Sequence, residues 1–253
     1  RGLFSGSLRQ PVLGGSFIGL EAAASLRDRE LEVQVVTPEK APMSRQFGPE
    51  LSRLVVETHR RHGVTLHLGR KPARIEADAV ILDDGSRVPA DLVLVGIGVT
   101  PRTRLAEQAG LEVDGGVIVD GSLRTSHPEI WAVGDIARWP DPHSGRRIRV
   151  EHWAVAERQG RHAAAAMLGE TAPFDAVPFF WTKHFDLGIR YLGHAEEWDE
   201  LAVEGDVMAK DALVRFRAGG RDLAVATVGR DLESLQEELA MERRLRQKRP
   251  GTS

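Results

Sequence analysis

The stretch Pro11-Val12-Leu13-Gly14-Gly15-Ser16-Phe17-Ile18-Gly19-Leu20-Glu21 decides how this chain folds. It runs from apolar residues through a glycine turn into a helix-forming segment, Glu21-Ala22-Ala23-Ala24-Ser25-Leu26-Arg27. Gly14 allows a tight turn, Ser16 stands where a backbone approaches a pyrophosphate, and Gly19 lets the helix pack closely on its strand. A phosphate there meets the free N–H groups and positive dipole end of the helix.

Flanking residues supply the rest of a βαβ unit. Leu31 to Val36 reads as the second strand, and Glu39 falls near the position of an acid that binds a ribose hydroxyl. Gly48 to His62 reads as a helix with Leu51, Leu54, Val55 and His59 along one face. Strands are expected at Val64–Leu68, Ala79–Leu82 and Asp91–Val95, with Asp83-Asp84-Gly85-Ser86 as a hairpin turn between the last two. Gly96-Ile97-Gly98 then supplies the small residues that a ligand crevice requires at the carboxyl end of a parallel strand.

Composition excludes several classes. The 253 residues carry a formal charge of −3 with 28% charged side chains, which gives no electrostatic case for nucleic acid or an anionic membrane. With no cysteine, the chain holds no disulfide, thiolate metal site or redox dithiol of its own. No apolar run has membrane-spanning length and no signal peptide is visible, so a soluble, cytoplasmic protein is expected. No serine sits in a glycine-flanked nucleophile elbow, and the nine histidines show no paired ligand spacing, so neither a hydrolase nor a metal site is indicated.

Further along, Val117–Val119 and Ile130–Val133 read as strands, the second entering Gly134-Asp135. Glu151-His152-Trp153 leads into a helix, Ala154 to Leu168, whose inward face is expected to be Ala156, Ala163, Ala164 and Met167. From Pro173 on, antiparallel strands are expected at Phe179–Thr182, Ile189–Leu192, Ala212–Arg217 and Leu223–Thr227, then a helix from near Leu232 and a basic tail, Arg243 to Arg249.

The order of these motifs resembles FAD-dependent ferredoxin reductases and apoptosis-inducing-factor-like proteins of the pyridine nucleotide-disulfide oxidoreductase superfamily. The resemblance is carried by Gly14 to Glu21, Leu94 to Pro101, Ile130 to Asp135, Glu151 to Trp153 and Phe179 to Trp181. It implies an α/β chain with a Rossmann-like NAD(P)-binding domain, part of an FAD-binding domain, and an α+β C-terminal domain with an antiparallel sheet. The corresponding segments are a leader at 1–10, the NAD(P)H-binding domain at 11–111, the FAD segment at 112–171 and the C-terminal domain at 172–253.

The resemblance also implies roles. Hydride passes from NADH, with NADPH possible, to FAD, and electrons pass on to a ferredoxin or Rieske-type iron–sulfur protein. Gly14, Gly15, Ser16, Phe17 and Ile18 surround the pyrophosphate, with Gly19 behind them. Glu21 and Trp153 are the candidate catalytic positions: Glu21 stands near the nicotinamide carboxamide, or is simply a first-turn helix acid. Gly96 and Gly98 make room for the nicotinamide or form a plain turn, while Gly134 and Asp135 meet the ribityl chain of FAD. Glu151, His152 and Trp153 precede a helix whose N-terminal amides face the flavin. Trp181 packs near the flavin ring or serves as a core tryptophan.

Arg146, Arg147 and Arg149 either steer an acidic ferredoxin or decorate a solvated hairpin. Glu39 favours NADH, whereas Lys40 or Arg45 could accept a 2′-phosphate. An NADH-sensing, apoptosis-inducing-factor-like interaction protein with little turnover is the alternative, and oligomeric state stays open.

No second glycine fingerprint occurs, since Gly115-Gly116 and Gly219-Gly220 lack a following strand-to-helix context. The chain is therefore expected to lack the first flavin-binding βαβ unit, to be inactive alone, and to expose apolar strand edges near Val117 and Ile130. It should purify colourless or weakly flavinated; stoichiometric FAD in its visible spectrum would overturn that expectation.

Overall fold

A computed structural model describes residues 8–248. In chain order the elements are β1 Arg9–Leu13, α1 Phe17–Arg27, β2 Glu32–Thr37, α2 Ser44–Arg61, β3 Thr65–Leu68, β4 Pro72–Ile75, β5 Ala79–Leu82, β6 Arg87–Pro89, β7 Leu94–Val95, α3 Arg104–Gln108 and β8 Val117–Ile118. A 3₁₀ turn at Gly134–Ile136 follows, then β9 Ala137–Pro140, β10 Arg147–Ile148, α4 Trp153–Met167, β11 Phe179–His184, β12 Leu187–Gly193, β13 Glu200–Asp206, β14 Asp211–Ala218, β15 Arg221–Val228 and α5 Asp231–Lys248. The chain divides into two compact units. One comprises the residues up to Val99 with Trp181–Ile189 and Val203–Ala212; the other comprises Thr100–Phe180, Arg190–Ala202 and the residues from Leu213 on.

The first unit is built on a parallel sheet in the order β3-β2-β1-β7, with Val12 opposite Val35 and Leu13 opposite both Val36 and Val95. Burial on both faces explains why β1 reads as an apolar run without alternation. The strand begins at Arg9, within the stretch read from sequence as a leader. Arg9 grips Asp91 through Nε and a terminal nitrogen, at 3.0 and 2.8 Å, and its backbone N–H donates to the same carboxylate. This holds the Asp91 carboxyl at about 2.

Two strand expectations need correction. The turn at Asp83–Ser86 does close a hairpin, with the Leu82 amide donating to Ser86, but its second strand is β6. Leu94–Val95 joins the parallel sheet, as the reading of Gly96–Gly98 at the end of a parallel strand expects, and a Pro89-Ala90 break separates it from the hairpin. Strands β4 and β13 were not anticipated, because their exposed polar residues carry no clear alternation. In α2, Gly48 leaves helical geometry with φ +78° and Pro49 restarts the helix, so the regular part begins where the sequence pattern places it.

In the second unit β9 pairs parallel with β8 and antiparallel with β10. Val119, Leu123, Trp139, Ile148 and Phe174 share a core there. Ile130–Val133 is not a strand: it makes a single bridge, Arg124 to Trp131, supported by the Thr125 and Ala132 amides donating to Ile130 and Leu123. The Val117 edge expected to stay bare is paired with Ala137, and Val117 is buried. The buried face of α4 is Val155, Gln159, Ala163 and Ala166, a rotation away from Ala164 and from Met167, which is 57% exposed. Gln159 sets that rotation, because its Oε1 accepts from the Gly134 amide at 2.6 Å.

The C-terminal sheet is antiparallel in the order β11-β12-β15-β14-β13. Apart from β13, its strands overlap the segments where the sequence places them. Val177, Leu192, Leu213, Val225 and Met241 form a core with α5. Most of the expected basic tail continues α5 to Lys248, while Arg249 lies outside the described residues. No helix among the described residues is long and apolar enough to cross a membrane.

Two histidines belong to the interior of the first unit. His59 is fully buried, with its ring nitrogens 2.9 and 3.0 Å from the carbonyls of Val55 and Leu20. His184 is also fully buried, with the ring centres 5.1 Å apart. Burial pushes both pKa values down, that of His184 to about 3, and each ring opposes charge on the other or on a neighbour. Protons therefore bind the unfolded chain better, so this burial is fully compatible with folding above the ordinary value of 6.5 and destabilises it as pH falls toward about 3. By pH 5 the loss from His184 alone should reach about 2 kcal/mol. Thermal unfolding should show Tm dropping between pH 7 and pH 5, with a flatter profile in His184→Gln; identical profiles would remove His184 as the cause.

Candidate functional site

Three backbones meet at the glycine turn. A Cβ on Gly14, whose φ is +119°, would lie 2.1 Å from the Gly96 carbonyl oxygen, and one on Gly19 would lie 2.2 Å from the Gly14 oxygen. Gly96 in turn faces Gly19, where a Cβ would approach its backbone to 3.3 Å. The Gly14 amide donates to Val36 and the Gly96 amide to Leu13, which ties the turn to both neighbouring strands. The close approach that the sequence assigns to Gly14 and Gly19 is thus present, and Gly96 is bare for the same reason. Gly98 stands apart with φ +103° and nothing within 4 Å of a Cβ.

This packing sets the start of α1. Ser16 occupies the N-cap position in extended geometry, yet its side chain caps no amide; the hydroxyl donates to the Gly96 carbonyl at 3.2 Å. The first turn holds no acid, and Ile18 is 65% exposed. An uncapped helix start beside a side-chain-free turn fits a dinucleotide pyrophosphate, because a Cβ would fill the approach and an acid would repel the phosphates. Thr37 donates to the Glu39 carboxylate, and Gly15 lies against the Thr37 side chain, so Glu39 is drawn to the same turn.

Glu21 lies beyond the first turn of α1, which corrects its alternative reading as a first-turn acid. Its Oε1 accepts from the Thr182 hydroxyl at 2.5 Å and from the Lys183 amide at 3.2 Å. Thr182 Oγ1 also lies 3.1 Å from His184 Nε2. The alternation of β11 buries Thr182 and His184 and turns Trp181, 44% exposed, to the other face. Trp181 is consequently no core tryptophan. Sequence reading missed Thr182; its signal was a hydroxyl in an inward position of a strand.

The flavin-segment candidates lie in the second unit. Gly134, with φ +76°, opens the 3₁₀ turn, and a Cβ on it would meet that of Ala156 at 3.3 Å. Asp135 is exposed, and no described residue bonds its carboxylate. Arg149 joins the Asp135 carbonyl, at 2.9 Å, to the Glu151 carboxylate, at 2.7 Å. His152 is the N-cap of α4, its Nδ1 accepting from the Ala154 amide at 3.2 Å, and Trp153 is 60% exposed. One α4 amide is therefore occupied by the protein itself. A free acid and an exposed aromatic beside a helix start fit the polyol and ring portions of a flavin.

The arginine cluster does not act as one patch. Arg146 pairs with Glu197, Arg147 donates to the Val119 carbonyl, and Arg149 serves the Asp135 turn. Arg149 and Gln159 hold the Gly134–Asp135 turn; the sequence reading assigned the first to a basic cluster and passed over the second.

Two protein families match the chain. The pyridine nucleotide-disulphide oxidoreductase family matches residues 6–160, and the reductase C-terminal family matches residues 179–251. The chain is 35% identical over 232 residues to putidaredoxin reductase of Pseudomonas putida, covering 89% of this chain and 55% of that protein. It is 36% identical to the ferredoxin–NAD(+) reductase component of the anthranilate 1,2-dioxygenase system of Burkholderia cepacia, covering 88% and 57%. The crystal structure of the covalent putidaredoxin reductase–putidaredoxin complex superposes with a TM-score of 0.89 at 34% identity, over 94% of this chain and 58% of that one. The chain thus spans just over half the length of these relatives. With the glycine turn, the parallel sheet and the C-terminal sheet in one order, the chain belongs to the pyridine nucleotide-disulphide oxidoreductase family.

Proposed function

We propose that this chain is the pyridine-nucleotide half of an FAD-dependent NADH:ferredoxin oxidoreductase and supplies part of its flavin site. The observation that carries the reading is the Gly14–Gly19–Gly96 contact, which presents an uncapped, acid-free helix start to a pyrophosphate. Relatives named as ferredoxin reductases support the choice of an iron–sulfur partner, either a ferredoxin or a Rieske-type protein. A cytoplasmic setting is part of the same reading.

Each residue has a role in it. The backbone from Gly14 to Ile18 binds the pyrophosphate, with Ser16 turned onto the Gly96 carbonyl and so leaving the amides clear. Glu39, oriented by Thr37, accepts a ribose hydroxyl and disfavours the 2′-phosphate of NADPH by charge. Glu21 accepts the nicotinamide carboxamide N–H, and Gly96 and Gly98 leave its ring unobstructed. Asp135 binds the ribityl hydroxyls, with Gly134 and Gln159 fixing its turn and Arg149 keeping Glu151 in place. The α4 start after His152, including the Trp153 amide, places positive potential at the flavin ring, and Trp153 shields a ring face. When bound, FAD converts the two-electron chemistry of NADH into single-electron transfers.

In the FAD-loaded protein, NADH should drive rapid reduction of a ferredoxin or an artificial one-electron acceptor. Slow turnover accompanied by NADH-dependent dimerisation would instead establish the sensor. In titrations of this chain with NADH, Ser16→Gly should alter Kd by less than about tenfold, or 1.4 kcal/mol, because the Ser16 hydroxyl is directed at Gly96. A larger gain in affinity would mark the serine as an obstruction.

A further inference from the structure

Glu21, Thr182 and His184 lie in one compact unit and form a connected polar row that the nicotinamide reading alone does not explain. Thr182 and His184 are 1% and 0% exposed, in a strand whose inward positions would ordinarily be apolar. The Thr182 hydroxyl has one proton. At 2.5 Å the Thr182 hydroxyl donates to the Glu21 carboxylate, and the Lys183 amide donates to the same oxygen. With its proton spent there, Thr182 Oγ1 can only accept from His184, 3.1 Å away, so Nε2 of that ring carries the hydrogen.

His184 Nδ1 is buried and makes no well-formed hydrogen bond among the described residues, although the Leu20 carbonyl lies beside the ring. Burial keeps the ring neutral, with its pKa pushed down to about 3. The row therefore runs in one direction, His184 Nε2–H to Thr182 Oγ1, and Thr182 O–H to Glu21 Oε1. Both donors recorded on Glu21 fall on Oε1, which leaves Oε2 to other partners.

We infer that Thr182 and His184 are positioning residues that hold the Glu21 carboxylate in one orientation, with Oε2 presented as the acceptor for the nicotinamide carboxamide. The inference rests on the proposed contact between Glu21 and that carboxamide. His59 supports the same place from below, because its Nε2 contacts the carbonyl of Leu20, the residue preceding Glu21.

The test compares NADH with ADP-ribose, which keeps the adenosine and pyrophosphate but lacks the nicotinamide, in equilibrium titrations of this chain. Thr182→Val should weaken NADH binding by about threefold to tenfold, the scale of one hydrogen bond, and leave ADP-ribose within twofold of the parent. Thr182→Ser should restore NADH affinity, which a purely structural loss would not require. Thr182→Ala gives the same readout should the valine fail to fold. Equal weakening of both ligands, or no change with either, overturns the positioning role. Glu21→Ala separates the two levels: if it weakens NADH selectively while Thr182→Val does not, the carboxamide contact stands and the relay fails. If Glu21→Ala is also without effect, the contact itself is refuted.

Discussion

Three glycine backbones in mutual contact govern the first unit. Gly14 can meet Gly96, and Gly19 can meet Gly14, only because no Cβ intervenes at separations near 2 Å. A side chain at any of them would push α1 from β1 or part β1 from β7. The placement of α1 determines where Leu20, Ala23 and Ala24 are buried, and hence where the helix meets the sheet. It also determines the height of Glu21 relative to the turn. The surface proposed to bind the dinucleotide and the packing of the sheet thus follow from one steric condition.

A second theme recurs in both units. The residues that face a ligand in the proposed site are braced from behind by polar side chains, most of them from elements remote in sequence. Thr182 braces Glu21, Thr37 braces Glu39, and Gln159 with Arg149 braces the turn that carries Asp135. Such bracing suits chemistry performed by bound cofactors, because the protein contributes orientation and field and little bond-making of its own. The buried supports carry a cost in desolvation, seen most clearly in the depressed pKa of His184.

The sequence disclosed whatever is governed by local periodicity and steric need. Gly14 and Gly19 were readable because only glycine tolerates the approach, and the α2 face was readable because Leu51, Leu54, Val55 and His59 recur at helical spacing. Ile130–Val133 misled because an apolar run looks like a strand whether or not a partner is aligned with it. The rotation of α4 was hidden for a different reason: its buried stripe is anchored by a glutamine whose partner, Gly134, is remote in sequence. Thr182 and Arg149 were missed in the same way, since their roles exist only once β11 reaches α1 and the β10 end reaches the 3₁₀ turn. Trp153 and Trp181, singled out through the resemblance, are both exposed.

The fork between Arg9 and Asp91 has a mechanical consequence. It closes over the entrance of β1, five residues ahead of Gly14, and couples that entrance to the loop between β6 and β7. Tension on the chain ahead of Arg9 is therefore shared with the β1 ladder and the Asp91 loop before any of it reaches the glycine turn. The pairs from Arg9 to Leu13 along β2 act in shear, so they must yield together and not one after another. The turn is in this sense insulated from tension applied at the entrance of β1.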